Sequence, residues 1–430
     1  MNEALLLAAV FAVLLFAGVP IAYAIGLAAV VALTATLDPA SAATVVSQRL
    51  ATGLDSFALL AIPFFILSGQ LMNRGGIARR LIDLAKVIVG GLPGGLAFVN
   101  VLANMMFGAI SGSAVAAAAA IGGFMSPLLK KDGYNREFGA AVNVSSCVTG
   151  LLIPPSNVMI VFSLASGGVS IAALFIAGYV PGIMLGLALM LVAGVIAKRR
   201  KYPVGQWVAG AEAVRIFFAA LPSLLLVFLV MGGIILGWFT PTEASAIAVI
   251  YTFVLSVVIY REIKWFELPR LLTDAATTTA IVLLLVGTSM GMSWVMSSAN
   301  IPQTISEVLL GLTDNRFVLL LIITVIVLVV GTFMDMTPAV LIFTPIFLPV
   351  VISFGMDPIH FGIVLIFNLC IGLCTPPVGT ALFVGCGVSG TTIAKVWRPL
   401  IPFFVAMLIV LMLVTFVPSL TLFLPRLLGF

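Results

Sequence analysis

The chain has 430 residues, of which 62% are hydrophobic and 8% charged, with a formal net charge of +5. No water-soluble domain of that size hides so much apolar surface, so a soluble enzyme or binding module is excluded. The Lys and Arg excess sits in short segments between apolar runs, where it orients a membrane protein, and gives no reason to read nucleic-acid binding.

Long stretches without Asp, Glu, Lys or Arg include Ala4–Thr36, Val87–Leu129, Phe138–Ala197, Ile216–Thr242, Ala275–Ser306 and Pro399–Pro425. A bilayer-crossing helix needs ~20 apolar residues, so several of these runs hold more than one crossing. In chain order the first half reads as helices near 4–17 and 20–36, broken at Gly18-Val19-Pro20. Ala22-Tyr23-Ala24 gives the first helix a faint signal-peptide outline, but Glu3 stands where a basic n-region belongs, so a retained helix is expected. A helix near 57–73 and an amphipathic stretch near 76–89 follow. Next come an apolar unit at 94–129 interrupted by GAISGS, a long helix at 137–165 interrupted by IPPS, and a helix at 171–197. After a polar joint that starts at Lys198–Pro203, the second half runs in the same order. Its interruptions are GWFTPTEA near 237–244, GTFMDMTP at 331–338 and CTPPVG at 374–379.

That parallel order is a repeat. Slid along itself by 222 positions, the chain matches Gly69 with Gly291, Pro127 with Pro349, Gly133 with Gly355 and Gly150 with Gly372. The same shift matches Pro154-Pro155 with Pro376-Pro377 and Gly168 with Gly390. Few other side chains match, so what recurs is a set of backbone breaks. Loop charge gives the sense of each copy. Arg74–Lys86 holds four Lys or Arg residues and Lys130–Arg136 holds three, whereas the equivalent stretches Met296–Val308 and Ile352–Pro358 hold none. At the other end the bias reverses, with Arg261, Lys264 and Arg270 opposed by Arg49 alone. Positive loops stay cytoplasmic, so the two copies are expected in opposite senses, each with five crossings and one re-entrant hairpin. The expected fold is an all-α polytopic membrane protein: inverted repeat one at 1–197, a cytoplasmic connector at 198–216, and inverted repeat two at 217–430. The hairpins fall at about 94–129 and about 317–354, the broken helices at about 137–165 and about 359–385, and both termini lie on the periplasmic side.

Non-helical backbone at membrane depth is tolerated only where protein or a water-filled cavity surrounds it. Paired helix breaks in such a chain point to a transporter's binding site. Proline frees a carbonyl four residues back. Freed carbonyls with Ser and Thr hydroxyls make a hard oxygen cage suited to Na⁺, and half-helix N-termini aim partial positive charge at a carboxylate. The Na⁺ candidates are Ser111, Gly112, Ser113, Asn143, Pro154, Pro155 and Ser156 in the first copy. In the second they are Gly331, Asp335, Thr337, Thr375, Pro376 and Gly379. The substrate candidates are Ser113, Ser156, Asp335, Thr337, Pro377 and Thr380. Pro181 and Pro402 read as simple kinks, and the Gly108/Gly112 spacing also suits plain helix packing.

Only two acids lie deep between apolar runs, Asp335 and Glu243. A charge at that depth marks a functional site by default. Asp335 suits a cation site or a conformational lock, while Glu243 suits a helix start and function equally. Asn143 and Asn368 on the broken helices suit an ion or a local backbone group. His360 reads as a structural residue in an outer loop. Cys147, Cys370, Cys374 and Cys386 lie in apolar runs; with a single His in the chain, packing is favoured over a metal pair. No Walker A loop is present, so an ion gradient is the expected drive.

FGAISGSAVAAAAAIG at Phe107–Gly122, LLIPPS at Leu151–Ser156, GWFTPTEA at Gly237–Ala244, MDMTP at Met334–Pro338 and NLCIGLCTPPVGTALFV at Asn368–Val384 closely resemble one family. It is the large membrane (permease) subunit of TRAP, or tripartite ATP-independent periplasmic, transporters, and the resemblance covers essentially the whole chain. It implies an elevator-type mechanism like that of the ion-transporter superfamily, in which two hairpins and two broken helices slide against a scaffold. It also implies import of small organic acids with Na⁺ as coupling ion into a bacterial cell, across the inner membrane. A periplasmic substrate-binding protein would deliver the acid, and a small four-helix membrane subunit would complete the scaffold. Some members fuse that subunit to the large one; the absence of such an extension here implies a separate partner. Carried over by position, Ser111–Ser113 with Ile153–Ser156 would form one ion site, and Gly331–Thr337 with Thr375–Gly379 the other. Two rivals stay open on sequence alone: a stand-alone Na⁺/dicarboxylate symporter, and a channel or scaffold without coupled transport.

Overall fold

The computed structural model describes residues 2–205, 207–208, 210–313, 315–376 and 378–430. The substrate candidate Pro377 lies outside the described residues. Among them the secondary structure is helical. The first half holds α1 (Asn2–Phe16), α2 (Ile21–Leu33), α3 (Pro39–Leu54), α4 (Ala61–Arg74), α5 (Ile77–Val89), α6 (Gly95–Ser111), α7 (Ala114–Lys131), α8 (Arg136–Cys147), α9 (Thr149–Leu152), α10 (Asn157–Ala165) and α11 (Ile171–Arg199). The second half holds α12 (Ala211–Ile235), α13 (Pro241–Phe253), α14 (Leu268–Ser298), α15 (Ile301–Leu312), α16 (Arg316–Phe333), α17 (Met336–Ser353), α18 (Pro358–Gly372), α19 (Thr380–Ser389), α20 (Ile393–Phe416) and α21 (Ser419–Leu427). Among the described residues eight helices are long and apolar enough to cross a membrane, or nine if the pair Arg136–Leu152 and Asn157–Ala165, bent by 51°, counts as one span. The protein is an all-α polytopic membrane protein.

Local chemistry sets the ends of these helices. The Ser113 hydroxyl accepts a hydrogen bond from the Ala116 amide and starts α7, and the Asn135 side chain accepts from Phe138 to start α8. These N-caps satisfy first-turn amides that have no partner within their own helix. At α13, Thr240 and Glu243 form a capping box: the Thr240 amide donates to the Glu243 carboxylate at 2.8 Å, and the Glu243 amide donates to the Thr240 hydroxyl at 3.3 Å. The helix-start reading of Glu243 therefore prevails. His360 differs from its expected loop setting. It lies in the first turn of α18, fully buried, with Nδ1 2.8 Å from the Thr421 hydroxyl and Nε2 3.2 Å from the Thr415 carbonyl oxygen. Those partners stand more than fifty residues away in sequence and anchor α21 and the end of α20, which no local pattern encodes.

Packing sorts the helices into two groups. In one, α14 lies against α2, α3 and α4, α4 against α13, and α12 against α13. In the other, α6 to α11 and α16 to α21 surround α8 and α18, whose buried residues run unbroken from Phe138 to Cys147 and from His360 to Gly372. Helices apolar on every face belong in the middle of such a bundle. All four cysteines are buried there, in keeping with the packing role. Two helices join the groups: the amphipathic α5 touches α6 and α12, and α15 touches α14 and α17.

The element boundaries follow the 222-residue register. Shifted by that interval, α7 falls on α17 at both ends, α11 starts where α20 starts, and α6, α8 and α10 fall on α16, α18 and α19 to within a few residues. The tertiary contacts recur as well. Gly108 of α6 meets Gly150 of α9 backbone to backbone, so that a Cβ on Gly108 would lie 2.6 Å from the Gly150 Cα. In the second half a Cβ on Gly372 of α18 would lie 2.7 Å from the Cα of Gly331 of α16. A hairpin arm thus rests directly on a broken helix in each half, and only glycine permits that approach.

Candidate transport site

The two helix breaks in each half lie side by side. In the first, α6 ends on Gly112, whose φ of +60° turns the chain back into α7. A Cβ on Gly112 would lie 3.5 Å from the amide nitrogen of Asn157, so the Ser111–Ser113 tip abuts the start of α10. The hydroxyls of Ser111 and Ser156 are both buried and have no hydrogen-bond partner. A buried hydroxyl without a partner loses its hydration uncompensated, which a bound cation would restore.

The second half repeats the theme with other groups. The Gly379 amide donates to the Thr332 carbonyl oxygen at 3.3 Å, tying the broken helix to the α16–α17 tip. The carbonyl oxygens of Leu373 and Thr375 converge on Gly379, at 2.9 and 2.8 Å from where its Cβ would be. Asn368 Oδ1 and the Thr380 hydroxyl are buried and have no hydrogen-bond partner. Asp335 holds the N-cap position of α17, yet its carboxylate makes no capping hydrogen bond and is exposed.

Both tips face one space. A cavity of about 210 Å³ is lined by Gly112 and Ser113 from the first tip and by Asp335 and Thr337 from the second. Its remaining wall includes Ile62 and Ile66 of α4 and Thr278 and Val282 of α14, so it lies between the two helix groups. The starts of α7, α10 and α17 all reach it. A second cavity of about 370 Å³ shares Ser113, Asn157 and Thr278 with the first and extends past Gln70 and Asn73 to Arg74 and Asp274. Those last two form an ion pair of 2.6 Å, each side chain close to half exposed.

The sequence-derived candidates divide accordingly. Ser113, Asp335 and Thr337 line the shared cavity, and Ser111 lines its continuation. Ser156, Gly331, Thr375, Pro376, Gly379 and Thr380 are not among its lining residues, and Pro155 lines a small gap of about 10 Å³ against α4. Pro154 serves as part of the break itself. Asn143 is taken up by structure: its Nδ2 donates to the Ala118 carbonyl at 2.9 Å and its Oδ1 accepts from Asn104 at 3.1 Å. Asn368 is divided, with Nδ2 donating to the Thr324 carbonyl at 2.7 Å and Oδ1 left over. Asn157, Gln70, Asn73, Arg74, Thr278 and Asp274 are wall residues that the sequence reading did not select. Asn157 was detectable, since it directly follows the IPPS break. The Arg74–Asp274 pair joins positions 200 residues apart and left no local signal.

Broken helices and hairpin tips around a cavity, in an all-α polytopic chain, define a membrane transporter. The comparisons agree. The solved structure of the YdaH transporter of Alcanivorax borkumensis superposes with a TM-score of 0.66 at 15% identity, covering 85% of this chain and 86% of that one, which shows the fold. The family model "Tripartite ATP-independent periplasmic transporter, DctM component" matches residues 8–420. The chain is 57% identical to the uncharacterized protein YgiK of Salmonella typhimurium over 97% of its own length and 96% of that protein's. It is 40% identical to the C4-dicarboxylate TRAP transporter large permease protein DctM of Pseudomonas aeruginosa, covering 87% of this chain and 88% of the relative. The chain belongs to the TRAP transporter family as its large membrane component, a transporter permease rather than an enzyme.

Proposed function

We propose that this chain is the permease of a Na⁺-coupled importer of small organic acids in the bacterial inner membrane. A periplasmic binding protein delivers the acid and a separate small membrane subunit supports the scaffold, as the name tripartite and the C4-dicarboxylate relative suggest. The observation that carries the reading is the single cavity bounded by both hairpin tips and by α4 and α14.

The cavity's chemistry accounts for coupling. Helix starts at α7, α10 and α17 direct partial positive charge into it, which favours a carboxylate. Asp335 works in the other direction: its carboxylate repels an acid until a cation neutralises it. Na⁺ held by the unpartnered oxygens, with Asp335 nearby, removes that repulsion and completes the anion site. Substrate and ion then bind best together, which is coupling in thermodynamic terms.

The movement we propose is an elevator. Helices α6 to α11 and α16 to α21 carry the site as one body against α1 to α4 and α12 to α14, with α5 and α15 as connecting arms. The repeated backbone contacts and element register support two similar copies, and the loop charges favour their opposite sense with both termini periplasmic. In that orientation the passage toward Arg74 and Asp274 leads to the cytoplasm, which supports reading this arrangement as inward-open. Reconstituted with its binding protein, the membrane complex should accumulate a C4-dicarboxylate under an inward Na⁺ gradient and not under equal Na⁺. Gradient-independent uptake, or uptake that needs no binding protein, would reject the corresponding half of the proposal.

A further inference from the structure

A cleft also lies away from the tips. It has a volume of about 790 Å³ and lies where the end of α11 and the start of α20 meet the start of α8. Arg199 and Arg200 enter it from α11, and Lys395 and Arg398 from α20. Glu137 is the one acid in its lining, so cations outnumber acids four to one. Among the described residues none of these five side chains is in an ion pair. Four like charges drawn into one concavity repel one another, and an anion between them relieves that repulsion.

The rest of the lining identifies the kind of anion. Phe138, Ile196, Pro399 and Pro402 give the cleft an apolar floor beside the charged rim. Further along α20 a separate apolar groove of about 420 Å³ runs from Val405 to Val417, with Val405, Ile409 and Leu413 about half exposed. At a rise of ~1.5 Å per residue, Arg398 stands roughly 10 Å from the near end of that groove along the helix. An occupant of both spaces needs a negative head and an aliphatic tail. A soluble phosphate would use only the charged end.

We propose that this cleft binds an anionic phospholipid, its phosphate held by Arg199, Arg200, Lys395 and Arg398 and one acyl chain lying in the groove along α20. Basic pockets between membrane helices recognise such headgroups by charge and by hydrogen bonding from Arg. The site belongs to the helix group that carries the transport cavity, and it requires only that the chain reside in a bilayer.

The test uses the full-length chain in neutral detergent. It is titrated with short-chain phosphatidylglycerol, with phosphatidylcholine of equal chain length, and with inorganic phosphate, and binding is read by native mass spectrometry and by the shift in Tm. Phosphatidylglycerol should bind saturably at one site and raise Tm, while the other two should not at the same concentration. The double substitution Arg199→Gln/Arg398→Gln should weaken phosphatidylglycerol binding by about tenfold or more. Lys130→Gln/Lys131→Gln, outside the cleft lining, should leave it unchanged. Should the first variant be unstable, Lys395→Gln alone with the Tm of the lipid-free protein as control gives the same reading in smaller amplitude. Equal affinity for the two lipids, an effect of inorganic phosphate matching that of phosphatidylglycerol, or equal losses in both double variants would each overturn the proposal. Because binding is measured without transport, it stands or fails separately from the uptake experiment.

Discussion

The two hairpin tips share a backbone plan and differ in chemistry. At the first, the Ser113 hydroxyl is committed to the Ala116 amide of its own helix, and Ser111 supplies a buried neutral oxygen. At the second, Asp335 holds the equivalent start of α17, leaves that helix uncapped by its side chain, and opens its carboxylate to the cavity. The glycine contacts that seat each hairpin arm on a broken helix are nearly the same in both halves. The two tips thus share a backbone plan and differ in a few side chains: both halves hold buried oxygens without partners, and the second adds a carboxylate.

The sharpest way to break that contrast is Asp335→Asn. Neutralising the only acid at the tips should lower Na⁺-driven uptake by about two orders of magnitude while membrane insertion stays normal, as expected for a charge built into a membrane site. Uptake assays in vesicles beside quantification of the inserted protein provide the check, and wild-type uptake would remove Asp335 from the account. Next in size is Gly150→Ala set against Gly372→Ala. Each places a methyl into opposing backbone, and overpacking of this kind costs about 1–3 kcal/mol, so both should lower the Tm of the purified protein by similar amounts. A drop in one variant alone would contradict the equivalence of the two seats.

Smaller effects separate ion binding from architecture. Ser111→Ala and Ser156→Ala each remove a hydroxyl that bonds nothing in the fold, so both should raise the half-saturating Na⁺ concentration several-fold with little change in Tm. Ser113→Ala should act on both, weakening Na⁺ dependence and costing about 1 kcal/mol through the lost cap. A shift in Tm without one in the Na⁺ titration would assign Ser113 to structure alone. The least effect is expected of Asp274→Asn. Its ion pair with Arg74 is half exposed, and such pairs contribute about 0–1 kcal/mol, so stability should hardly move.

Much of this was legible because Gly and Pro act on the backbone locally. GAISGS, IPPS, MDMTP and CTPPVG interrupt apolar runs, and the structure breaks its helices at each of them. The amphipathic α5 was legible for a similar reason, since its periodicity lies within one short segment. What escaped depends on distant partners or on weak patterns. The helix α3 had not been expected, although Asp38 caps it by accepting from the Ala40 and Ser41 amides and Pro39 opens it, because its sequence is too polar for a membrane crossing. The separate α21 arises from a break at Pro418 inside what reads as one apolar run. The closing of Asn143 by Asn104 and Ala118, the burial of His360 against Thr421, and the Arg74–Asp274 pair all need tertiary structure to bring the partners together. Composition identifies such residues as polar groups in apolar surroundings and cannot say which of them are already satisfied.

Cysteine accessibility at the two joints that follow the hairpins puts the whole arrangement to trial. Lys130 ends the first hairpin and Ser353 the second, both are exposed, and the native cysteines are buried. With Lys130→Cys and Ser353→Cys in separate proteins, a membrane-impermeant thiol reagent applied from the periplasmic side should label the second and spare the first. Labelling of both from one side would mean that the halves do not face opposite ways, and the cavity shared by the tips could not serve as a carrier site.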